Sequence, residues 1–167
     1  EMCIRDRVSY KTYVEGQGWT NDVTDGGQSG TVGESKKLEG ISLRLSSGID
    51  GIVQYRTYTE NEGWEDWSEN GEINGKPDGI RRLEAIQIRL TGKAAEKYDI
   101  YYRVHCQDYG WLGWAKNGEK AGSEGYSRRM EAIEIQLVTK GQSMSGDETV
   151  SFACLLYTSP SPRDISG

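Results

Sequence analysis

The sequence predicts an all-β domain with pseudo-threefold symmetry, on three observations. The stretch from Val53 to Leu90 occurs three times: Gly-Trp stands at Gly18-Trp19, Gly63-Trp64 and Gly110-Trp111, and nineteen positions after each Trp comes Leu38-Glu39, Leu83-Glu84 or Met130-Glu131. A fixed period in the mid-forties marks a repeat architecture. Each copy also carries roughly four strand signals of period two, and no long segment has a helical period. A β-trefoil, in which paired strands build a barrel and hairpins cap it, is the preferred arrangement; a β-prism of three four-stranded leaves is the alternative.

The repeats run at about 8–47, 51–92 and 98–139. Each opens on an alternating strand. Val8, Tyr10 and Thr12, then Val53, Tyr55 and Thr57, then Ile100, Tyr102 and Val104 form one face, while Tyr13, Tyr58 and His105 occupy the other. His105 is thus one of three equivalent positions, the other two Tyr, which calls for an amphipathic ring rather than a proton carrier. Cys106 matches Val14 and Thr59, so it is expected to be a small buried residue.

The Gly-Trp element follows, reading Gly-Trp-x-x-Trp in the second and third copies, with Trp67 and Trp114 as the second Trp. The first copy has Asp22 there. Asp25-Gly26, Asn70-Gly71 and Asn117-Gly118 come next, dipeptides that tolerate positive φ, and they predict a hairpin from the Trp strand into a short return strand near Glu72 to Asn74. Gly30, Gly75 and Gly122 are read as turn punctuation in the loops Gly30–Gly33, Gly75–Gly79 and Gly122–Gly125. No Lys-Ser/Thr or helix start follows them, so they do not cradle phosphate.

Each copy closes on its strongest strand: Ile41-x-Leu43-x-Leu45, Ile86-x-Ile88-x-Leu90 and Ile133-x-Ile135-x-Leu137. Leu38, Leu83 and Met130 fall on the opposite phase, which predicts a bulge or corner at the Glu-Gly/Ala step. The connection TGKAAEKYD between the second and third copies is too short to predict a helix.

Composition bounds the function. The chain has 167 residues, a formal net charge of -6 and a pI near 4.9. It has no basic stripe to displace counterions, so nucleic acid is not an expected partner. Its pairs Lys36-Lys37, Arg81-Arg82 and Arg128-Arg129 each neighbour a Glu and read as local ion pairs. No apolar run is long enough to predict membrane insertion. Ten Tyr and five Trp against one Phe place much of the apolar surface on aromatic rings with a polar edge.

The ends stand apart. Residues 1–7, with MCIRDR, and 154–167, with CLLYTSPSPRD, resemble translated sequencing-adapter sequence and are set aside as artefact. Cys3 and Cys154 go with them, leaving no disulfide framework. Residues 140–153 form a polar linker ending in Val150-Ser151-Phe152, similar to Val8-Ser9-Tyr10, and are expected to begin a further repeat of a longer, multidomain chain.

The tryptophans divide by their tolerance of change. Trp19, Trp64 and Trp111 occur in every copy and are expected in the core, filling the space between repeats. Trp67 and Trp114 are three positions on, which on a regular strand is the opposite face. A core position rarely exchanges Trp for Asp. Trp67 and Trp114, with Asn70 and Asn117 nearby, are therefore the candidate ligand-binding residues, the indoles to stack on sugar rings and the amides to bond hydroxyls. Glu39, Glu84 and Glu131 recur symmetrically, unlike the asymmetric acid pair of a glycosidase. They are expected to be structural acceptors for backbone N–H groups or an Arg. No catalytic set, metal cluster or cofactor motif is predicted.

Val-x-Tyr-x-x-(Tyr/His), Gly-Trp-x-x-Trp, Asn-Gly-Glu and Arg-Leu-Glu-Ala-Ile-x-Ile-x-Leu together resemble the clostridial hydrophobic-W (ChW) repeat family, over Val8 to Thr139. The resemblance implies secreted or cell-surface modules of Gram-positive bacteria of the Firmicutes, often appended to wall- or polysaccharide-degrading enzymes or to adhesin-like proteins. It implies no catalytic residues. The expected function is a non-catalytic module binding cell-wall or other polysaccharide; the alternative is a protein–protein interaction or scaffold module on the cell surface.

Overall fold

The computed structural model describes residues 7–46, 48–75, 81–123 and 128–140. The adapter-like ends other than Arg7, the linker with its proposed further repeat beyond Lys140, and most of the second and third glycine loops lie outside them.

Among the described residues the regular structure is mostly strand, in three sheets related by the sequence repeat. Repeat one contributes β1 (Val8–Val14), β2 (Gly18–Trp19), β3 (Val23–Thr24), β4 (Ser29–Gly30) and β5 (Leu38–Leu45). Repeat two contributes β6 (Ile52–Thr59), β7 (Gly63–Trp64), β8 (Ser68–Glu69), β9 (Asn74–Gly75) and β10 (Leu83–Thr91). A short helix, α1 (Lys93–Lys97), then buries Ala94 before repeat three: β11 (Tyr98–Cys106), β12 (Gly110–Trp111), β13 (Ala115–Lys116), β14 (Ala121–Gly122) and β15 (Met130–Thr139). The helix forms where the sequence predicted only a loop.

Each opening strand pairs antiparallel with the closing strand of its own repeat, β1 with β5, β6 with β10 and β11 with β15. The predicted alternation appears directly. Val8, Tyr10, Thr12 and Val14 are buried while Ser9, Lys11 and Tyr13 are half-buried, and the other two opening strands follow the same pattern. Their inner faces meet those of Ile41, Leu43, Ile86, Ile88, Ile133 and Ile135 in one apolar cluster, which supplies the main driving force for folding.

The predicted bulges are present. Tyr13 pairs with Gly40 but Val14 with Leu38, so Glu39 is the extra residue; Glu84 and Glu131 are skipped likewise between Leu83 and Ala85 and between Met130 and Ala132. Leu38, Leu83 and Met130 thereby return to the core phase and are fully buried.

The hairpin predicted at Asn70-Gly71 forms only its turn. Glu72 N donates to Glu69 O at 2.8 Å, closing the bend, but β8 pairs with β6 and β9 leaves to join β5 of repeat one. In the same way β14 joins β10, and β4 joins β15. Every repeat therefore completes the sheet of its predecessor, and the first completes the third. Hydrogen bonds across these joints repeat with the symmetry: Gly71 N to Leu43 O at 2.7 Å, Gly118 N to Ile88 O at 2.7 Å and Gly26 N to Ile135 O at 2.6 Å. The buried Tyr10 hydroxyl donates to Gly27 O and accepts from Ile135 N at 3.1 Å, and the hydroxyls of Tyr55 and Tyr102 bond Glu72 O and Glu119 O in the equivalent places. Burial raises the pKa of all three phenols, so they stay protonated donors.

Gly30, Gly75 and Gly122 are not loop punctuation. Gly75 lies within β9 with φ +101, and a Cβ there would come within 2.6 Å of the Glu39 carbonyl oxygen. Gly30 and Gly122 meet the carbonyls of Glu131 and Glu84 no less closely. The backbones of adjacent repeats touch at this point, and only Gly allows both the approach and the conformation. We predict that Gly75→Ala destabilises the domain by at least about 2 kcal/mol in thermal unfolding. Gly48→Ala, whose Cβ would meet no atom within 4 Å, serves as the neutral control.

Candidate functional site

The opening strand of each repeat turns into the Gly-Trp strand through a tight loop, which the sequence did not reveal. Glu62 N donates to Thr59 O at 3.0 Å, with Asn61 at φ 65 and Gly63 at φ 86, and the other copies repeat the bend. The register sets Trp19 opposite Tyr13, Trp64 opposite Tyr58 and Trp111 opposite His105. Directly opposed residues share a face, and Tyr13, Tyr58 and His105 are on the outer one. Each pair meets edge to face, with ring centroids 5.4, 5.5 and 5.4 Å apart.

This corrects the reading of the first Trp as core. Trp19, Trp64 and Trp111 are half-buried on the outside of the sheets. The large side chains that pack between repeats are Tyr10, Tyr55 and Tyr102 on the inner face of the opening strands.

The second Trp joins the first instead of opposing it. The strand ends at Trp64, residues 65–67 are irregular, and the period-two rule lapses. The Arg56 guanidinium lies 5.0 Å from the Trp64 ring and 4.8 Å from the Trp67 ring, so both indoles flank one cation. Arg103 does the same at 4.7 Å from Trp111 and 4.8 Å from Trp114. In repeat one Lys11 lies 5.1 Å from Trp19, and Asp22 bonds Arg44 at 2.8 Å. The equivalent of Arg44 is Arg89, which sits 3.8 Å from the Trp67 ring. Asp22 and Trp67 are two ways of engaging the same guanidinium, one by charge and one by the ring quadrupole. The basic residue at positions 11, 56 and 103 is common to all copies, a signal that could have found this arrangement from sequence.

Around the second repeat's indoles lies an open cleft lined by Glu62, Trp64, Glu65, Asp66, Trp67, Ser68 and Asn74. Glu65 accepts from the Thr59 hydroxyl and from Gly75 N, both at 3.2 Å, and Asn74 Nδ2 donates to Asp66 O at 2.9 Å. Glu62 pairs with Arg81 at 3.1 Å.

Asn70 and Asn117 have scaffold duties. Their Oδ1 atoms accept from Val53 N at 3.0 Å and Ile100 N at 2.9 Å, tying the turn to the start of the opening strand, as Asp25 does for Val8 N at 3.0 Å. Glu39, Glu84 and Glu131 are buried. Arg82 Nε donates to Glu84 at 2.8 Å, Arg129 Nε to Glu131 at 2.8 Å, and Lys37 approaches Glu39 to 3.5 Å. Glu131 also holds His105 Nδ1 at 3.0 Å, which orients the imidazole against Trp111. Cys106 is fully buried, and that burial, reinforced by the nearby Glu131 and Glu84 charges, pushes its thiol pKa up to about 12, leaving it unreactive. Among the described residues no cluster of His, Cys, Asp and Glu could hold a metal ion, and no helix is long and apolar enough to cross a membrane.

Asp99 anchors the third repeat's entry. Burial alone would raise its pKa, but the hydrogen bonds from Lys140 Nζ at 2.6 Å and Asn117 Nδ2 at 2.9 Å, with the Lys140 and Lys116 charges, lower it overall. A lowered carboxyl pKa stabilises the fold above the unfolded value near 4 and loses that contribution as pH falls through the folded value. We therefore expect Asp99→Asn to cost about 1 kcal/mol near neutrality. In melting curves taken from pH 7 downwards, its deficit relative to the unaltered chain should close below about pH 4.

The family model described as ChW, Clostridial hydrophobic W, matches residues 13–47, 58–92 and 105–139, each match running from the outer Tyr or His through the Gly-Trp strand to just past the closing strand in repeats one and two, and to its end in repeat three. No curated protein and no solved structure matches the chain. With three matches that span most of its length, the chain belongs to the Clostridial hydrophobic W family.

Proposed function

We propose that this chain is a non-catalytic binding module of a secreted or surface protein of a Gram-positive bacterium, and that it holds that protein on cell-wall or other polysaccharide. The observation that carries the reading is the pair of half-exposed indoles around one guanidinium, Trp64 and Trp67 about Arg56 and Trp111 and Trp114 about Arg103. An indole face offers flat apolar area to the C–H face of a sugar ring, while the cation fixes the ring in place. Weak faces repeated on one domain gain avidity on a polymeric ligand.

The polar groups that could be mistaken for catalysts support the same reading. Glu84 and Glu131 are buried against Arg82 and Arg129, and His105 is bonded to Glu131. Of the two architectures expected, the prism gains support, because the ladders fall into three separate sheets where a trefoil would run one barrel through all copies. The second reading is a surface scaffold that captures protein, since half-exposed Trp, Tyr and Arg also make interface hot spots.

Pull-down on insoluble wall and plant polysaccharides compares the unaltered chain with a Trp67→Ala/Trp114→Ala variant. Retention is expected for the former and a loss of roughly tenfold or more for the latter. Unchanged retention removes these rings from the site. Retention on no polysaccharide, together with capture of a surface protein that free sugars do not displace, favours the scaffold.

A further inference from the structure

The three outer faces differ around their indoles. In repeat one no second indole is present, and Asp22 is bound to Arg44. In repeat two Trp67 carries two guanidiniums, Arg89 at 3.8 Å and Arg56 at 4.8 Å, and the surrounding rim is acidic, with Glu62, Glu65, Asp66 and Glu69. In repeat three the four positions equivalent to those acids are Tyr109, Leu112, Gly113 and Lys116. Gln136 replaces Arg89, so among the described residues Trp114 is met by the guanidinium of Arg103 alone.

Repeat three also has more aromatic surface. Tyr101, Arg103 and His105 follow one another on the outer face of β11, and Tyr109 is 47% exposed beyond its end. At ~3.3 Å per residue the strand part of this strip is about 13 Å long, enough for several rings of an extended chain. Lys116 borders it. Its ammonium lies 5.7 Å from the Tyr101 ring centroid, and its side chain is 46% exposed. The Asp99 carboxylate stands 4.0 Å from it and is already engaged by Lys140 at 2.6 Å and Asn117 at 2.9 Å.

Resting on the polysaccharide reading, we propose that repeat three carries the principal binding face and that its ligand is a polysaccharide bearing carboxylate groups. Trp111 and Trp114 stack on sugar rings, and Lys116 meets a carboxylate as a point charge. In repeat two Glu62, Glu65, Asp66 and Glu69 compete with the polymer's carboxylates for the cations there, among them Arg81 and Lys120, and repeat one offers the polymer no second ring.

Affinity electrophoresis of the whole chain tests this, in gels containing polygalacturonate and in gels containing that polymer after reduction of its carboxyl groups to alcohols. Retardation is expected in the first and largely lost in the second, and added salt should weaken it. Trp114→Ala and Lys116→Glu should each weaken binding about tenfold and Lys116→Gln about threefold; Trp67→Ala should cost less than Trp114→Ala, and Asp22→Ala, on the face without a second indole, stays within about twofold. Circular dichroism spectra and melting temperatures matching those of the unaltered chain establish that the variants are folded. Equal retardation in both gels overturns the carboxylate ligand, and a Trp67→Ala loss as large as that of Trp114→Ala overturns the assignment to repeat three; either leaves polysaccharide binding in place. Retardation by no polysaccharide removes both.

Discussion

The structure depends on one joint made three times, between a bulged Glu and the short glycine strand of the next copy. The bulge turns Glu39, Glu84 and Glu131 out of the ladder and into a buried position. There the carboxylate gains a basic partner from the residue two places before it, and the backbone carbonyl needs a donor of its own. The next copy supplies one: Ser123 N donates to Glu84 O at 2.8 Å and Thr31 N to Glu131 O at 3.0 Å. Burying a charge and an unpaired carbonyl would each be costly, and the joint settles both in one place.

The outer faces follow from how the inner ones are used. Each inner position of an opening strand is occupied by core packing or by a Tyr whose hydroxyl ties two repeats together. The exchanges between copies that alter charge or add a ring, Asp22 for Trp67 and Gln136 for Arg89, lie on the outside. Asp22 and Trp67 can exchange because Arg44 and Arg89 offer either one a favourable contact, and Gln136 leaves Trp114 without that second guanidinium. The domain thus keeps one frame and alters its surface copy by copy.

Much of the frame was legible in the sequence. Period-two alternation located all six long strands, and the phase slip at Leu38, Leu83 and Met130 located the bulges, because both report on local backbone geometry. Pairing between copies left no such local trace. Strands of two residues carry no period, so β9 was read as the return arm of a hairpin, and the glycines within β4, β9 and β14 as loop residues. The first Trp was misplaced for a similar reason: its presence in every copy says that the position matters, not which side of the sheet it faces. The Tyr or His opposite it settles the side, through a hairpin register that the sequence does not display. Asn70 and Asn117 were recognised as turn residues, yet their bonds to the opening strand depend on the fold being complete.

The pairing of Gly30 with Ala132 gives the repeat array an unusual character. An open solenoid can lengthen by one unit, unfold from an end, and needs a polar cap where its stack stops. Here the first copy fills the sheet edge that the last would otherwise expose, so the ring has neither a growing end nor an uncapped one. That closing contact spans most of the described chain and forms only when both outer copies are in place, so it is non-local. In this chain β4 already holds the edge of β15 on which a fourth copy would dock.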